Sequence, residues 1–327
     1  MPNKFSEAVK KIFDTQRVGR GVKKSEARLP FTLGNFFKYL KNDFYDLFKL
    51  NMMMVFGNFP LFFGLYALTG NFNRTTITAA SSLYPQLYGA VAASGGKIIS
   101  PSFMALYGVH GVPTTTTVLT PLTVVFFALT ALMIFTFGFV NVGTTYIMRN
   151  RLRGEPVFFF SDFFYVVKKN LRQGLLMGAL DLILFAVFAY NITLSLFNLN
   201  SFLHGIVFFG NIMLLVIYIF MRFYMYILLI TFDLSFWKIL KNAFIFAFLG
   251  GKRNLMAALG IILVLAINYM FMYILLPLGI MLPFLITPAL LTFIGMYAAW
   301  PKIRQHMIDP YYPDFDSGKD PAPENEQ

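Results

Sequence analysis

Residues 206–231 read IVFFGNIMLLVIYIFMRFYMYILLIT, a run whose only charge is Arg222. A helix needs about 20 mostly apolar residues to cross a hydrocarbon core, so this stretch alone predicts a membrane span. Five more stretches qualify, at residues 48–69, 120–147, 175–197, 255–276 and 280–299. The last two form one apolar block of about 45 residues, which as a straight helix would reach roughly 68 Å. It has to fold back, and Pro277, Gly279 and Pro283 mark the expected turn. Asn198, Asn200 and Ser201 mark a short turn between spans three and four.

Composition agrees. Of 327 residues, 57% are hydrophobic and only 13% charged, with mean hydropathy +0.64. A soluble domain carries about a quarter charged residues, and a disordered chain needs low hydrophobicity. With no cysteine, disulfides, thiolate metal sites and cysteine nucleophiles are excluded. The expected fold is all-α: a polytopic membrane protein with six transmembrane helices.

Lysine and arginine set the orientation. Of the 27 present, only Arg74, Lys97 and Arg222 fall outside the segment before span one, the connections after spans two and four, and the segment after span six. Both termini are therefore expected in the cytoplasm, in a plasma membrane. The net charge of +12 is explained by this bias and by anionic lipid headgroups, so the lipid bilayer is the expected partner and nucleic acid is not. The segmentation reads as a basic tail with an interfacial amphipathic helix over 1–47, a membrane domain over 48–309, and a polar tail over 310–327, expected to be mobile.

Three segments between or before spans are amphipathic. In 34–49, Phe36, Phe37, Leu40, Phe44, Leu47 and Phe48 recur at helical spacing, as in a helix lying at the inner interface before turning into span one. Within the 149–174 connection, Pro156 opens a segment in which Ser161 and Asp162 can cap a helix. The 232–254 connection ends at Gly250–Gly251. These helices either dock a partner or cover the bundle. The extracytoplasmic insertion, 71–118, has no acidic residue and carries Phe72, Tyr84, Tyr88, Phe103 and Tyr107. It is interrupted by Pro85 and Pro101, so it does not span. It reads either as an ordered cap or as a contact for a neutral solute such as a glycan.

Ionisable groups within spans are costly and are default functional candidates. Asp181 lies about 10 Å and Arg222 about 13 Å from the inner ends of spans three and four, which predicts a buried ion pair. Gly174, Gly178 and Asp181 share a face, so the glycines would let span four approach closely. Asn211, Tyr218 and Tyr226 extend the stripe on span four, and Asn51, Asn58, Asn141, Thr144 and Asn268 add polar groups elsewhere. This set either lines a path for a solute or forms interhelical hydrogen bonds. Catalytic signals are absent: His110, His204 and His306 are scattered, and no phosphate-binding or serine-nucleophile motif occurs. No metal, cofactor or enzymatic activity is expected.

Residues 137–174, FGFVNVGTTYIMRNRLRGEPVFFFSDFFYVVKKNLRQG, carry a longer pattern. Gly138, Gly143, Thr144 and Tyr146 precede Arg153, Gly154 and Glu155. Asp162, Phe163 and Phe164 follow, then Asn170 and Gln173. In this spacing, in Leu50–Asn51 and in the Trp300–Pro301 ending of span six, the chain resembles the YesL family of bacterial membrane proteins. The 71–118 insertion departs from shorter members, so no role there is inherited. The resemblance implies a Gram-positive bacterium and, by association, an accessory role in carbohydrate uptake or its sensing, with ABC importer subunits or a sensor kinase as partners. It carries over no catalytic residue. The competing expectation is an autonomous small-solute transporter or channel. The substrate and oligomeric state are open.

Overall fold

The structure, a computed structural model, describes residues 30–79, 84–95, 100–110, 113–199 and 201–312. The basic segment before residue 30, Asn200 and the tail from residue 313 lie outside the described residues. The protein is an all-α membrane fold, with one small β-ribbon among the described residues. Among the described residues, four helical stretches are long and apolar enough to cross a membrane, and two bent helix pairs bring the count to six if each is one span.

The chain forms two compact units, one from Val55 to Gly138 and the other from the parts before and after it. In the larger unit, α1 (Leu33–Gly57) leads in. In the smaller unit, α2 (Pro60–Leu68) and α5 (Pro121–Thr130) pack together. Gly64 allows this approach, since a Cβ there would come 2.8 Å from the Thr130 side chain. Between them lie β1 (Arg74–Ala79), α3 (Tyr84–Ala93), α4 (Pro101–His110) and β2 (Pro113–Val118). The strands pair antiparallel, Arg74 opposite Val118 and Ala79 opposite Pro113. Thr120 caps α5, and its hydroxyl also donates to the Phe72 carbonyl at 2.8 Å. Thr123 donates to Asn73 at 2.8 Å. The insertion is therefore closed at its base by a threonine-rich ribbon that helical periodicity does not announce.

The larger unit continues with α6 (Met133–Leu152), α7 (Phe159–Lys169), α8 (Leu171–Phe197), α9 (Phe202–Thr231), α10 (Phe236–Leu249), α11 (Gly251–Ile274), α12 (Leu276–Leu285) and α13 (Thr287–Ile303). A π-turn, Arg304–Ile308, follows. Helices α11 and α13 run antiparallel. Asn268 bonds Thr287 at one end, while Ala257 clusters with Ile294 and Ala298 at the other. The core lies toward one end of these helices. On α8 the buried positions are Gly174, Met177, Gly178 and Asp181, with Ser195 beyond, and on α9 they are Tyr218 and Tyr224–Leu229. Away from that end Ile183, Val187, Phe209, Met213, Leu214, Ile262 and Leu263 face outward. A soluble protein does not expose so continuous an apolar surface, whereas lipid solvates it.

Several expected boundaries move. The break at span one falls between Gly57 and Pro60, with a 64° bend, rather than near residue 48. Interfacial and spanning parts form one helix until Pro60 removes an N–H donor and its ring crowds the preceding turn. Asn58 therefore sits in the break, past the last residue of α1. Helix α7 starts at Phe159, two residues before Ser161, and Asp162 accepts from the Phe158 N–H at 2.8 Å from inside the first turn. The chain reverses at Leu275 and bends by 54° between α12 and α13. Gly279 is needed there because a Cβ would overlap the Met272 backbone. Helix α13, the expected sixth span, runs through Pro301 instead of ending at it.

The α12–α13 break leaves backbone groups without helical partners, since Pro288 cannot donate to the Phe284 carbonyl. Asn51, fully buried on α1, fills the gap. Its Nδ2 donates to the Phe284 and Pro283 carbonyls at 2.7 and 3.1 Å, and its Oδ1 accepts from the Ala289 N–H at 3.0 Å. Replacing Asn51 with Leu should destabilise the fold by about 2–4 kcal/mol, read as a lowered midpoint of thermal unfolding in detergent. An unchanged midpoint would show that the break is repaired elsewhere.

Candidate functional site

Helices α8 and α9 are joined by a short connection and pack side by side, which brings residues 181 and 218–226 to one level. Asp181 is completely buried. Its Oδ2 accepts from Arg222 Nε at 3.0 Å and from the Tyr226 hydroxyl at 2.6 Å, and its Oδ1 accepts from the Tyr218 hydroxyl. Tyr218, Arg222 and Tyr226 reach the same carboxylate because steps of four follow one helix face. Arg222 extends the network to a third helix, donating from Nη2 to Asn141 Oδ1 at 3.1 Å. A lone carboxylate here would be very costly. With a cation and two phenols around it, the charge is matched and its lone pairs are engaged.

The other polar candidates do not join this cluster. Thr144 donates back to the Val140 carbonyl at 2.6 Å, and Asn211 to the Val207 carbonyl at 2.8 Å. Asn268 bonds Thr287 at 3.0 Å, and Asn51 serves the broken helix as described. Gly174 faces Val142 of α6, 3.0 Å from where its Cβ would be, rather than α9. Its small size admits the second span, not the fourth.

The pattern of residues 143–173 gathers at the junction of α6, α7 and α8. A Cβ at Gly143 would overlap the Phe163 ring, so the glycine makes the seat for that aromatic. Gly154 has φ +68°, a left-handed turn that favours glycine. Beside it Arg153 bonds Glu155 at 2.8 Å. Asn170 donates to the Val166 carbonyl at 3.0 Å where α7 meets α8, and Gln173 reaches the Leu234 carbonyl at 2.9 Å. Phe164 stays exposed. On α1, Asp46 pairs with Arg151 and lies 3.6 Å from Lys49.

This junction borders an open cavity of about 960 Å³, lined by Arg149, Arg153, Lys169, Arg172 and Gln173. Thr231 and Asp233 line it from the end of α9, and Tyr312 from the segment after the π-turn. Arg149 is 7% exposed. It donates to Thr231 Oγ1 at 3.1 Å, to the Ile230 carbonyl at 3.3 Å and to Asn150 Oδ1 at 2.9 Å, and its guanidinium lies 4.9 Å from the Tyr146 ring centre. In the sequence Arg149, Lys169 and Arg172 stand out only as signals of topology. Their sequence separation hides that α6, α7 and α8 meet. Among the described residues no three His, Asp or Glu side chains could hold a metal ion.

A model of the family described as "Protein of unknown function, DUF624" matches residues 118–192. The match takes in α5, α6, α7 and most of α8, hence Arg149, the Arg153–Gln173 pattern and Asp181. Arg222 and Thr231 lie beyond it. No curated protein and no solved structure matches the chain.

Asp181→Asn removes the charge while keeping the shape, and leaves Arg222 facing a neutral amide. The expected loss is about 2–4 kcal/mol of stability, seen as reduced folded yield and a lower unfolding midpoint. Adding Arg222→Gln should restore part of it, because no unmatched charge then remains. Wild-type stability in the single variant would show that the carboxylate does not hold the bundle.

Proposed function

We propose that the chain is a non-enzymatic multi-pass protein of the YesL type, resident in the plasma membrane of a Gram-positive bacterium, that assists carbohydrate uptake or its sensing. In this reading both termini and helices α7 and α10 are cytoplasmic, and an ABC importer subunit or a sensor kinase docks there. The observation that carries it is a division of labour among polar groups. Asp181, Tyr218, Arg222 and Tyr226 bond one another, and Asn51 and Asn268 bond neighbouring helices, so these groups serve packing. At the other extreme, α7 leaves Phe160, Phe164 and Tyr165 exposed, and α10 leaves Trp237, Phe244 and Phe248 exposed. Aromatic faces of this kind suit contact with another protein at the membrane surface. The DUF624 match over the Arg153–Gln173 pattern supports the YesL assignment, while the carbohydrate role rests on the family association.

Affinity purification of the tagged protein from native membranes in a mild detergent, with mass spectrometry, tests the role. The expected result is near-stoichiometric recovery of importer or kinase subunits, lost on Phe164→Asp with Trp237→Asp. Recovery of the protein alone would favour an autonomous carrier, to be measured as liposome flux. The native chain lacks cysteine, so single cysteines report orientation cleanly. In whole cells Ser94→Cys should react with an impermeant thiol reagent and Ser235→Cys should not.

A further inference from the structure

The positive-inside rule explains why basic residues collect at one end of a bundle. It does not explain why one of them, Arg149, is buried on a cavity wall with neutral hydrogen-bond partners, Thr231, Asn150 and the Ile230 carbonyl. Those bonds fix the guanidinium without neutralising it. Arg153, Lys169 and Arg172 reach the same space, against one lining carboxylate, Asp233, and with Glu155 bound to Arg153. Cations converging in a concavity with low-dielectric walls focus a positive potential and concentrate anions.

We propose that this cavity binds the phosphate ester of a small polyol. The charge calls for an anion: the Arg172 guanidinium presents a planar fork that matches a tetrahedral oxyanion, Lys169 adds an ammonium, and Arg149, held by its neutral partners, adds a fixed positive charge. At about 960 Å³ the space is far larger than a bare phosphate needs and lies at the upper end of small-molecule pockets. The Gln173 amide and the Thr231 hydroxyl stand on the same walls, groups suited to hydroxyls next to the phosphate. That chemistry has two sources, a soluble sugar phosphate or the glycerophosphate headgroup of an anionic lipid. The site stands whichever protein the chain assists.

The test uses the full-length protein in phosphatidylcholine nanodiscs. Glucose 6-phosphate and glucose are titrated by calorimetry, and phosphatidylglycerol retention is read by native mass spectrometry after mixed-lipid reconstitution. Binding of glucose 6-phosphate but not glucose supports the site with a soluble ligand, and selective retention of phosphatidylglycerol supports it with a lipid one. Lys169→Gln with Arg172→Gln, both exposed and so harmless to folding, should weaken whichever probe binds by about tenfold or more. Arg149→Gln should do the same where its unfolding midpoint shows a folded protein. The proposal is overturned if neither probe binds, if glucose binds as well as its phosphate, or if the double variant binds with unchanged affinity.

Discussion

A single carboxylate, Asp181, with no solvent exposure, gathers Arg222, Tyr218 and Tyr226 from the neighbouring helix, and through Arg222 reaches Asn141 on a third. Apolar side chains give little preference for one helix pairing over another in lipid, because lipid tails are as apolar as leucine. A charge that has only one acceptable arrangement does give that preference. Rotating α9 by one residue, or sliding it by a turn, would strand the carboxylate, so this cluster sets the register of α6, α8 and α9. The tight packing of Tyr224–Leu229 and Met177 then follows at the same end of the bundle.

The same constraint acts on the backbone. In lipid, each amide freed by a break has to find a partner inside the protein. The chain tolerates the break at Pro288 because Asn51, far away in sequence, supplies two donor bonds and one acceptor. Tyr224 and Asn254 do similar work where α10 meets α11. The phenol donates to the amide oxygen at 2.8 Å, and the amide Nδ2 donates to the Ala247 carbonyl at 2.9 Å. At Gly250 a Cβ would overlap the Tyr224 hydroxyl, so the glycine is required by packing as well as by its place at a helix end. Asn51, Asn254 and the Asp181 cluster thus repair breaks and fix register in this bundle.

The Arg153–Gln173 pattern has a comparable logic. Most of its members, with Gly143 before it, shape one junction, and Phe164 is left exposed. Gly143 seats Phe163, Gly154 makes the turn, Asp162 caps α7, and Asn170 and Gln173 tie α8 to its neighbours. The shared product of these local roles is the basic cavity. The matched family region covers this junction and Asp181, while Arg222 and the part of the cavity wall at Thr231, Asp233 and Tyr312 come from later in the chain.

The apolar runs by themselves determined the fold class and the number of long hydrophobic segments, because the length of such a run is a direct measure of what a bilayer can accommodate. The pairing of Asp181 with Arg222 was legible for a related reason: two opposite charges at similar depth on consecutive helices leave each other little alternative. The helix breaks were less legible. Pro60 and Pro288 can be seen in the sequence, but whether a proline bends, ends or merely opens a helix depends on which side chain reaches its freed carbonyl. The threonine-rich ribbon of 74–79 and 113–118 was hidden because its strands are short and pair across a long insertion. Tertiary structure alone decided that Gly174 faces α6, that Asn51 serves α12 and α13, and that Arg149, Lys169 and Arg172 surround one cavity. Those relations join residues far apart along the chain, and periodicity reports which face of a helix is polar without saying what that face meets.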